Sequence, residues 1–380
     1  MIFDTHISDQ FQTKATYCMF GKKSHAAEVH AIFEPTDSTL SAKDQIHNLE
    51  NAITSLFTTW FPECMSLVWK RYFLTDVANQ FQFIDCTGDE VISVIQQPPL
   101  NGSKVSAWVY GIENIGIEKA ASGAVCVKRP FYTHLFHTQL QANEGNSFEQ
   151  TTSIFTRYID SLHSFQTKLS SHCIRTWLYV QQIDVQYAGM VNARRMIFQR
   201  ENLTPATHFI ASTGIEGRSF FPGVSVMMDA YAIPEIGEDQ VTYLKGTGYL
   251  NPTHEYGVTF ERGTVVSYGD REHVFISGTA SINDRGEIVH PLDIQKQTER
   301  SFENMGALLS EAGCSFSDLA YLLVYLRDVA DYKLVDAHLQ AKFPHLPMII
   351  LLAPVCRPGW LIEIEGMAIR AINNNRFKHF

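Results

Sequence analysis

One eight-residue segment occurs twice in this chain. Tyr72-Phe73-Leu74-Thr75-Asp76-Val77-Ala78-Asn79 is closely matched by Val324-Tyr325-Leu326-Arg327-Asp328-Val329-Ala330-Asp331. Repeats constrain a fold more than composition does, because each copy asks for the same supersecondary unit. Around the second copy the order of elements is readable. Val274 to Ala280 is a short apolar run, a buried strand entering the polar turn Asn283-Asp284-Arg285-Gly286. A helix follows with apolar Ile294, Phe302, Met305, Leu308 and Leu309, closed by Gly313. Leu319 to Leu326 reads as a buried strand and Val329 to Phe343 as a second helix, which Pro344 and Pro347 end. Ile349 to Leu352 and Leu361 to Ala368 read as two more strands.

The same order surrounds the first copy, with a helix at Ile46, Leu49, Ile53 and Leu56 and strands at Val91 to Ile95 and Val105 to Tyr110. A third, fainter copy lies between them. Its helix carries Phe155, Tyr158, Ile159 and Leu162, and its strand is Thr176 to Val180. A second helix near Met190 to Phe198 and strands at His208 to Ala211 and Val226 to Ile233 close it. The chain therefore reads as three α+β modules, each a mixed sheet packed by two helices. The expected divisions are 1–120, 121–238 and 239–380.

Charge and cysteine usage narrow the function. The 380 residues carry 30 basic and 40 acidic side chains, net −10, which disfavours sequence-independent nucleic-acid binding. One local arginine cluster is enough for a small anionic ligand. Seven dispersed cysteines without a CxxC pair point to free thiols in a reducing, cytoplasmic setting and to no zinc knuckle. Neither a secretory leader nor a membrane span is expected; Met348 to Val355, the most apolar run, is much too short. His134 and His137 would point to opposite faces of a strand, so a metal pair is not expected there.

Three features of the last module carry a resemblance: the strand end Ser277-Gly278, the strand end Tyr325-Leu326-Arg327-Asp328, and the closing Ile362-Glu363-Ile364-Glu365. It resembles the Rid family of reactive-intermediate deaminases, whose fold is chorismate-mutase-like. Members of that family form trimers with active sites between neighbouring sheets. By that resemblance, three fused modules make an intrachain pseudo-trimer, as a monomer or a homo-oligomer. Imine deaminases of the family place an arginine just after the proline before the penultimate strand. Here the stretch is Pro347-Met348-Ile349-Ile350, and Ile349 cannot grip a carboxylate. The chorismatases, longer relatives with a Rid-like C-terminal domain, fit better. The resemblance implies a working Glu in the final strand and, in the hydroxybenzoate-forming branch, a Cys seven residues earlier. Glu363 and Cys356 stand at that spacing, and Ser277-Gly278-Thr279-Ala280-Ser281 resembles the chorismatase first motif.

Glu363 and Glu365, two apart in one strand, share a face. An acid among Trp360, Ile362 and Ile364 should hold its proton to high pH, which suits a general acid. Aligned by eye, Glu363 falls on Met227 in the middle module, and on Trp108 in the first if Gly111 is set on Gly366; Glu365 falls on Asp229. The expectation is one working cleft and two degenerate ones. Catalysis is assigned to Glu363 with Cys356, the latter otherwise a small buried hydrophobe. Arg218, Arg195, Arg262, Gly278, Thr279 and Tyr187 are the expected substrate contacts, with Arg194 and Tyr256 also considered. Adjacent helix positions point about 100° apart, so only one of Arg194 and Arg195 can serve a given pocket. No cofactor is expected. The readings in play are release of pyruvate and a hydroxybenzoate from chorismate, deamination of an unusual imine or enamine, and ligand binding without catalysis.

Overall fold

The computed structural model describes residues 1–21, 26–62 and 64–380. Its strands form three six-stranded sheets, taken in chain order. The first contains β1 (Ile2–Ser8), β2 (Thr13–Phe20), β3 (Glu28–Pro35), β4 (Met65–Leu74), β5 (Val91–Gln96) and β6 (Val105–Glu113). The middle one contains β7 (Gly116–Lys119), β8 (Val125–Lys128), β9 (Thr133–Gln141), β10 (Cys173–Val180), β11 (Ala211–Glu216) and β12 (Val226–Ala232). The last contains β13 (Val241–Leu244), β14 (Gly263–Ser267), β15 (Arg271–Ala280), β16 (Leu319–Leu326), β17 (Met348–Leu352) and β18 (Ile362–Ala371).

All three share one topology. Across each sheet the order is first, second, third, sixth, fourth and fifth strand. The fourth and fifth run parallel in every case. Even an irregularity repeats: pairing with the sixth strand shifts between Leu67 and Trp69, between Cys173 and Arg175, and between Leu319 and Tyr321. A shared bulge in a shared topology is what three copies of one unit would keep. The middle sheet takes in β7, so it starts ahead of residue 121.

Helices cover one face of each sheet: α1 (Ala42–Ser55) and α2 (Val77–Gln80) on the first, α3 (Ser147–Ser164), α4 (Leu169–His172) and α5 (Ile183–Arg200) on the middle, α6 (Ile294–Glu311) and α7 (Tyr332–Lys342) on the last. In the first module the second helix has shrunk to the single turn of α2. Asp76 caps it, but the chain tightens at Phe81–Phe83 and leaves as extended backbone at Ile84. Phe81 there stacks on Phe220 of the middle module, ring centroids 4.5 Å apart.

The uncovered sheet faces meet one another in the centre. Trp69 of β4 packs edge-on against Trp108 of β6 at 5.3 Å and Trp177 of β10 at 5.4 Å. Tyr321 of β16 closes on Trp108 at 5.1 Å. Strands buried on both faces need no polar alternation. That is why Cys173–Val180 and Leu319–Leu326, buried throughout, are almost unbroken apolar runs. His134 and His137 do face opposite ways from β9: His134 reaches Tyr231 at 2.7 Å on the central side, His137 reaches Ser161 of α3 at 2.7 Å.

Each seam between sheets contains a buried arginine–carboxylate pair. Arg71 meets Asp229 at 3.5 Å between first and middle, Arg175 meets Glu365 at 2.7 Å between middle and last, and Arg271 meets Glu28 at 2.6 Å between last and first. Removing one partner strands a charge in the interior. Arg175→Met should cost about 3–5 kcal/mol of stability in urea unfolding, and Arg175→Met with Glu365→Leu clearly less.

Burial also sets an acid limit. It lowers His30 and His134 from 6.5 to about 3, and His137 to about 4. Below pH 6.5 the unfolded chain takes up protons that the folded chain refuses, so stability falls with pH through that window. Melting temperature should drop steeply from pH 6.5 toward 4, and His137→Gln should flatten the drop.

Candidate active site

The seam between the middle and last sheets opens into a pocket. Its walls come from three directions. The last sheet supplies Glu363 from β18, Gly278 and Ala280 from β15, and the loop residues Cys356, Arg357 and Trp360. The middle module supplies Tyr187 and Arg194 from α5 and Ser212 and Gly214 from β11. The connection between β13 and β14 supplies Tyr256, Val258, Phe260 and Arg262. The pocket is narrow, and its charged lining residues Glu363, Arg194 and Arg262 are all buried.

Strand pairing explains why Glu363 is here. Opposite the fourth strand of each module, Glu363 faces Tyr325, Met227 faces Tyr179, and Ser106 faces Phe73. Glu365 faces Leu323, Asp229 faces Trp177, and Trp108 faces Arg71. Trp108 therefore occupies the place of Glu365, and Ser106 that of Glu363. Setting Gly111 on Gly366 by eye misses this by two residues: Gly111 pairs with Leu67 as Ala368 pairs with Leu319, and Val109 holds the place of Gly366. An acid at the Glu363 position exists in one module only.

The two glutamates have separate tasks. Glu365 accepts from Arg175 at 2.7 Å, Tyr325 at 3.0 Å, Trp177 at 3.1 Å and Thr213. That set of donors makes it a structural anion. Glu363 is 5% exposed, and burial pushes its carboxyl up to about 8, with Glu365 adding to the rise and Arg175 and Arg262 opposing it. At neutral pH it holds a proton it can give. Gly278 makes room for it: a Cβ there would lie 2.1 Å from Glu363 Oε1.

Burial, helped by Glu363, pushes the Cys356 thiol up to about 12, while the Tyr187 hydroxyl donates to it. Cys356 is a neutral thiol in the pocket and no ready nucleophile. Two buried guanidiniums face the same space. Arg194 donates to Thr259 at 3.3 Å and Ser212 at 3.4 Å, and Arg262 donates to the Asn251 carbonyl at 3.0 Å. Among the described residues neither has a carboxylate within ion-pair distance. Burial lowers Arg194 below the usual guanidinium range. Two desolvated cations without a counter-charge are a receptor for carboxylates.

Of the expected residues, Glu363, Cys356, Arg262, Gly278 and Tyr187 meet in this pocket. Three do not. Arg218 is exposed at the seam between first and middle sheets, where its carbonyl accepts from Gln96 at 3.0 Å, because its loop is the counterpart of the Cys356 loop one seam away. Arg195 points outward from α5 and donates to the Gly257 carbonyl; Arg194 takes the inner place. Thr279 is buried, its hydroxyl turned back on the Ser277 carbonyl at 2.9 Å. Arg194 was recoverable from spacing, since Met190, Arg194 and Ile197 fall on one buried face of α5. Trp360, expected in the apolar wall beside Glu363, lines the pocket; Arg357 and Ser212 carried no such signal.

The missing carboxylate arginine also moves. Ile349 lies on β17, which abuts the first sheet through Pro99 and Leu351. The pocket instead borders β11, where Thr213 on Trp177 stands as Ile349 does on Leu323. Thr213 is bonded to Glu365, so the pocket lacks a guanidinium at that place as well.

Residues 264–370 match the family model described as Endoribonuclease L-PSP. A RutC family protein of Pyrococcus abyssi is 43% identical over 100 residues, which are 26% of this chain and 78% of that protein. The 3-aminoacrylate deaminase RutC of Acinetobacter baylyi is 30% identical over 97 residues, 25% of this chain and 77% of that protein. The chain thus belongs to the Rid family, to which these proteins and this model correspond. Within it, the chain resembles the chorismatase branch. A chorismatase crystal structure superposes with a TM-score of 0.63 at 19% identity, over 82% of this chain and 96% of that one. The 3-hydroxybenzoate synthase of Streptomyces hygroscopicus is 32% identical over 106 residues, which are 25% of this chain and only 31% of that protein.

Glu363 is costly to the fold at high pH. Its folded value lies above its unfolded one, so the folded state keeps a proton the unfolded state sheds, and stability falls as pH rises from 4.5 to about 8. Glu363→Gln should therefore melt above wild type at pH 8, with the gap closing toward pH 5. Gly278→Ala, whose Cβ would press on the Glu363 carboxyl and on Thr213 Cγ2, should move the Glu363 side chain and reduce this pH-dependent difference.

Proposed function

We propose that the chain is a chorismatase-like enzyme that releases pyruvate and a hydroxybenzoate from chorismate. The observation that carries this reading is a protonated Glu363 facing two buried arginines without counter-charges. Chorismate has the matching parts: a protonatable enolpyruvyl ether and two carboxylates. Glu363 gives its proton to the methylene carbon of the ether. The bond between ring carbon and ether oxygen breaks, and pyruvate leaves as the ketone. The neighbouring ring hydroxyl closes on the vacated carbon, and its proton returns to Glu363. The resulting oxide opens by breaking one carbon–oxygen bond; the ring carbon sheds a proton, the oxygen gains one, and the hydroxybenzoate results. Atoms balance without water. Attack by water instead would give a non-aromatic diol. Arg194 and Arg262 orient the carboxylates, and the neutral Cys356 thiol stands on the ring side.

The RutC relatives favour a second reading, deamination of an unusual imine or enamine. It lacks support from the pocket, where Thr213, bonded to Glu365, stands at the family's arginine place. A net charge of −10 disfavours an RNA substrate for either reading.

Incubation with chorismate should yield pyruvate and one hydroxybenzoate by chromatography. No product from folded protein would end this reading, and ammonia release from oxidase-generated imines would replace it. Glu363→Gln should lower kcat by about 10²–10⁴-fold. Because the working form carries the proton, activity should be present below pH 8 and fall as pH rises past about 8.

A further inference from the structure

The three modules differ most in one connection. Between the first two strands of each sheet the chain needs only residues 9–12 in the first module and 120–124 in the middle one. In the last module it takes residues 245–262. This long connection belongs to the last module alone, and it lies over the pocket that contains Glu363.

Its architecture is that of a closed loop on a fixed neck. At the neck, Arg262 binds the Asn251 carbonyl at 3.0 Å and the Asn251 side chain at 3.2 Å, and Thr253 Oγ1 donates to the Phe260 carbonyl at 2.6 Å. Compact loops whose ends are closed in this way are self-packed units. The tip, residues 254–258, is tied down differently. Arg195 of the middle module donates to the Gly257 carbonyl, and Arg357 of the last module donates to the Tyr256 carbonyl at 2.9 Å. The Tyr256 ring lies between two guanidiniums, Arg357 at 4.9 Å and Arg262 at 5.3 Å. Gly257 sits at φ 89°, the left-handed conformation that lets both neighbouring carbonyls point outward to their arginines.

The narrow pocket makes this arrangement consequential. Its lining leaves little free space around Glu363, so a ring with two carboxylates is best admitted when a wall moves. The strands and α5 are fixed by sheet pairing and core packing. The tip of the loop is held by two arginine-to-carbonyl bonds, the stacked Tyr256 ring and the Val258 side chain, which is buried against the middle module.

We infer that residues 251–262 form a hinged cover over the pocket, and that Arg195, acting from outside, is the positioning residue that holds it shut. The inference deepens the proposed function by assigning the element that controls access to that site. Arg195 touches no pocket atom, so its contribution runs through Gly257 and Tyr256. Opening breaks the Arg195 and Arg357 bonds and unstacks Tyr256, while the Asn251–Arg262 neck persists.

Amide hydrogen exchange on the whole, ligand-free chain tests the clasp without assuming any substrate. In Arg195→Gln, exchange at residues 254–258 should quicken roughly tenfold or more, while β15, β18 and α5 stay as in wild type. Arg195→Lys should recover part of the protection. Unchanged exchange in 254–258, or a rise spread over the whole molecule, would overturn the inference. Steady-state kinetics with chorismate then separate the two readings. A clasp role predicts a several-fold higher KM for Arg195→Gln with kcat within about twofold, since Glu363 and Cys356 are untouched. A fall in kcat with unchanged KM would overturn it. Faster exchange in a protein that leaves chorismate intact would uphold the cover and remove the proposed substrate.

Discussion

The carboxylates buried at the seams take their counter-charges from a neighbouring sheet. Asp229 needs Arg71, Glu365 needs Arg175, and Glu28 needs Arg271. None of the three sheets could be desolvated alone on its inner face without leaving a bare ion, so packing and charge pairing are satisfied together. This constraint reaches into the pocket. Glu365 draws Arg175, Trp177, Tyr325 and Thr213 to itself. Burial raises the Glu363 carboxyl, two residues along on the same face, and its neighbour's charge adds to the rise. The two acids of one strand thus differ in partners: Glu365 is fully bonded and Glu363 is not.

Equivalent positions with unlike residues then decide what each seam can do. Ser106, Met227 and Glu363 stand at one register, Trp108, Asp229 and Glu365 at another. Only at the last seam do a protonatable group, unpaired cations and a long covering connection coincide. The first module gave its second helix up for the turn of α2 and an aromatic contact at Phe220. The clefts share a frame and differ in chemistry.

Much of the frame was legible because strands buried on both faces announce themselves as apolar runs, and because the segments at 72 and 324 share a strand end and a capping Asp. Leu319–Leu326 is recovered to the residue. Legibility failed where two positions on one element differ only in direction. Arg194 and Arg195 are adjacent in the chain, and the buried face of α5 separates them. It failed again at Trp108, because Val109 stands where the last module has Gly366, so the glycines give a false register. Arg218 was rightly placed on the counterpart of the Cys356 loop, yet that loop serves the seam before its own. Residues that meet across a seam, such as Thr213 with Glu365, are far apart in the chain and share no local pattern.

Joining three units in one polypeptide has a further consequence. In an assembly of three identical chains, any substitution is felt three times, once per cleft, so a change that helps chemistry at one seam is taxed by its effect on the others. Here Glu363 has no symmetry mates. Its register position could become serine in one unit and methionine in another, free of any catalytic duty. Covalent continuity has turned a symmetric ring into three independently adjustable surfaces, and the asymmetry of the β13–β14 connection is the clearest trace of that freedom.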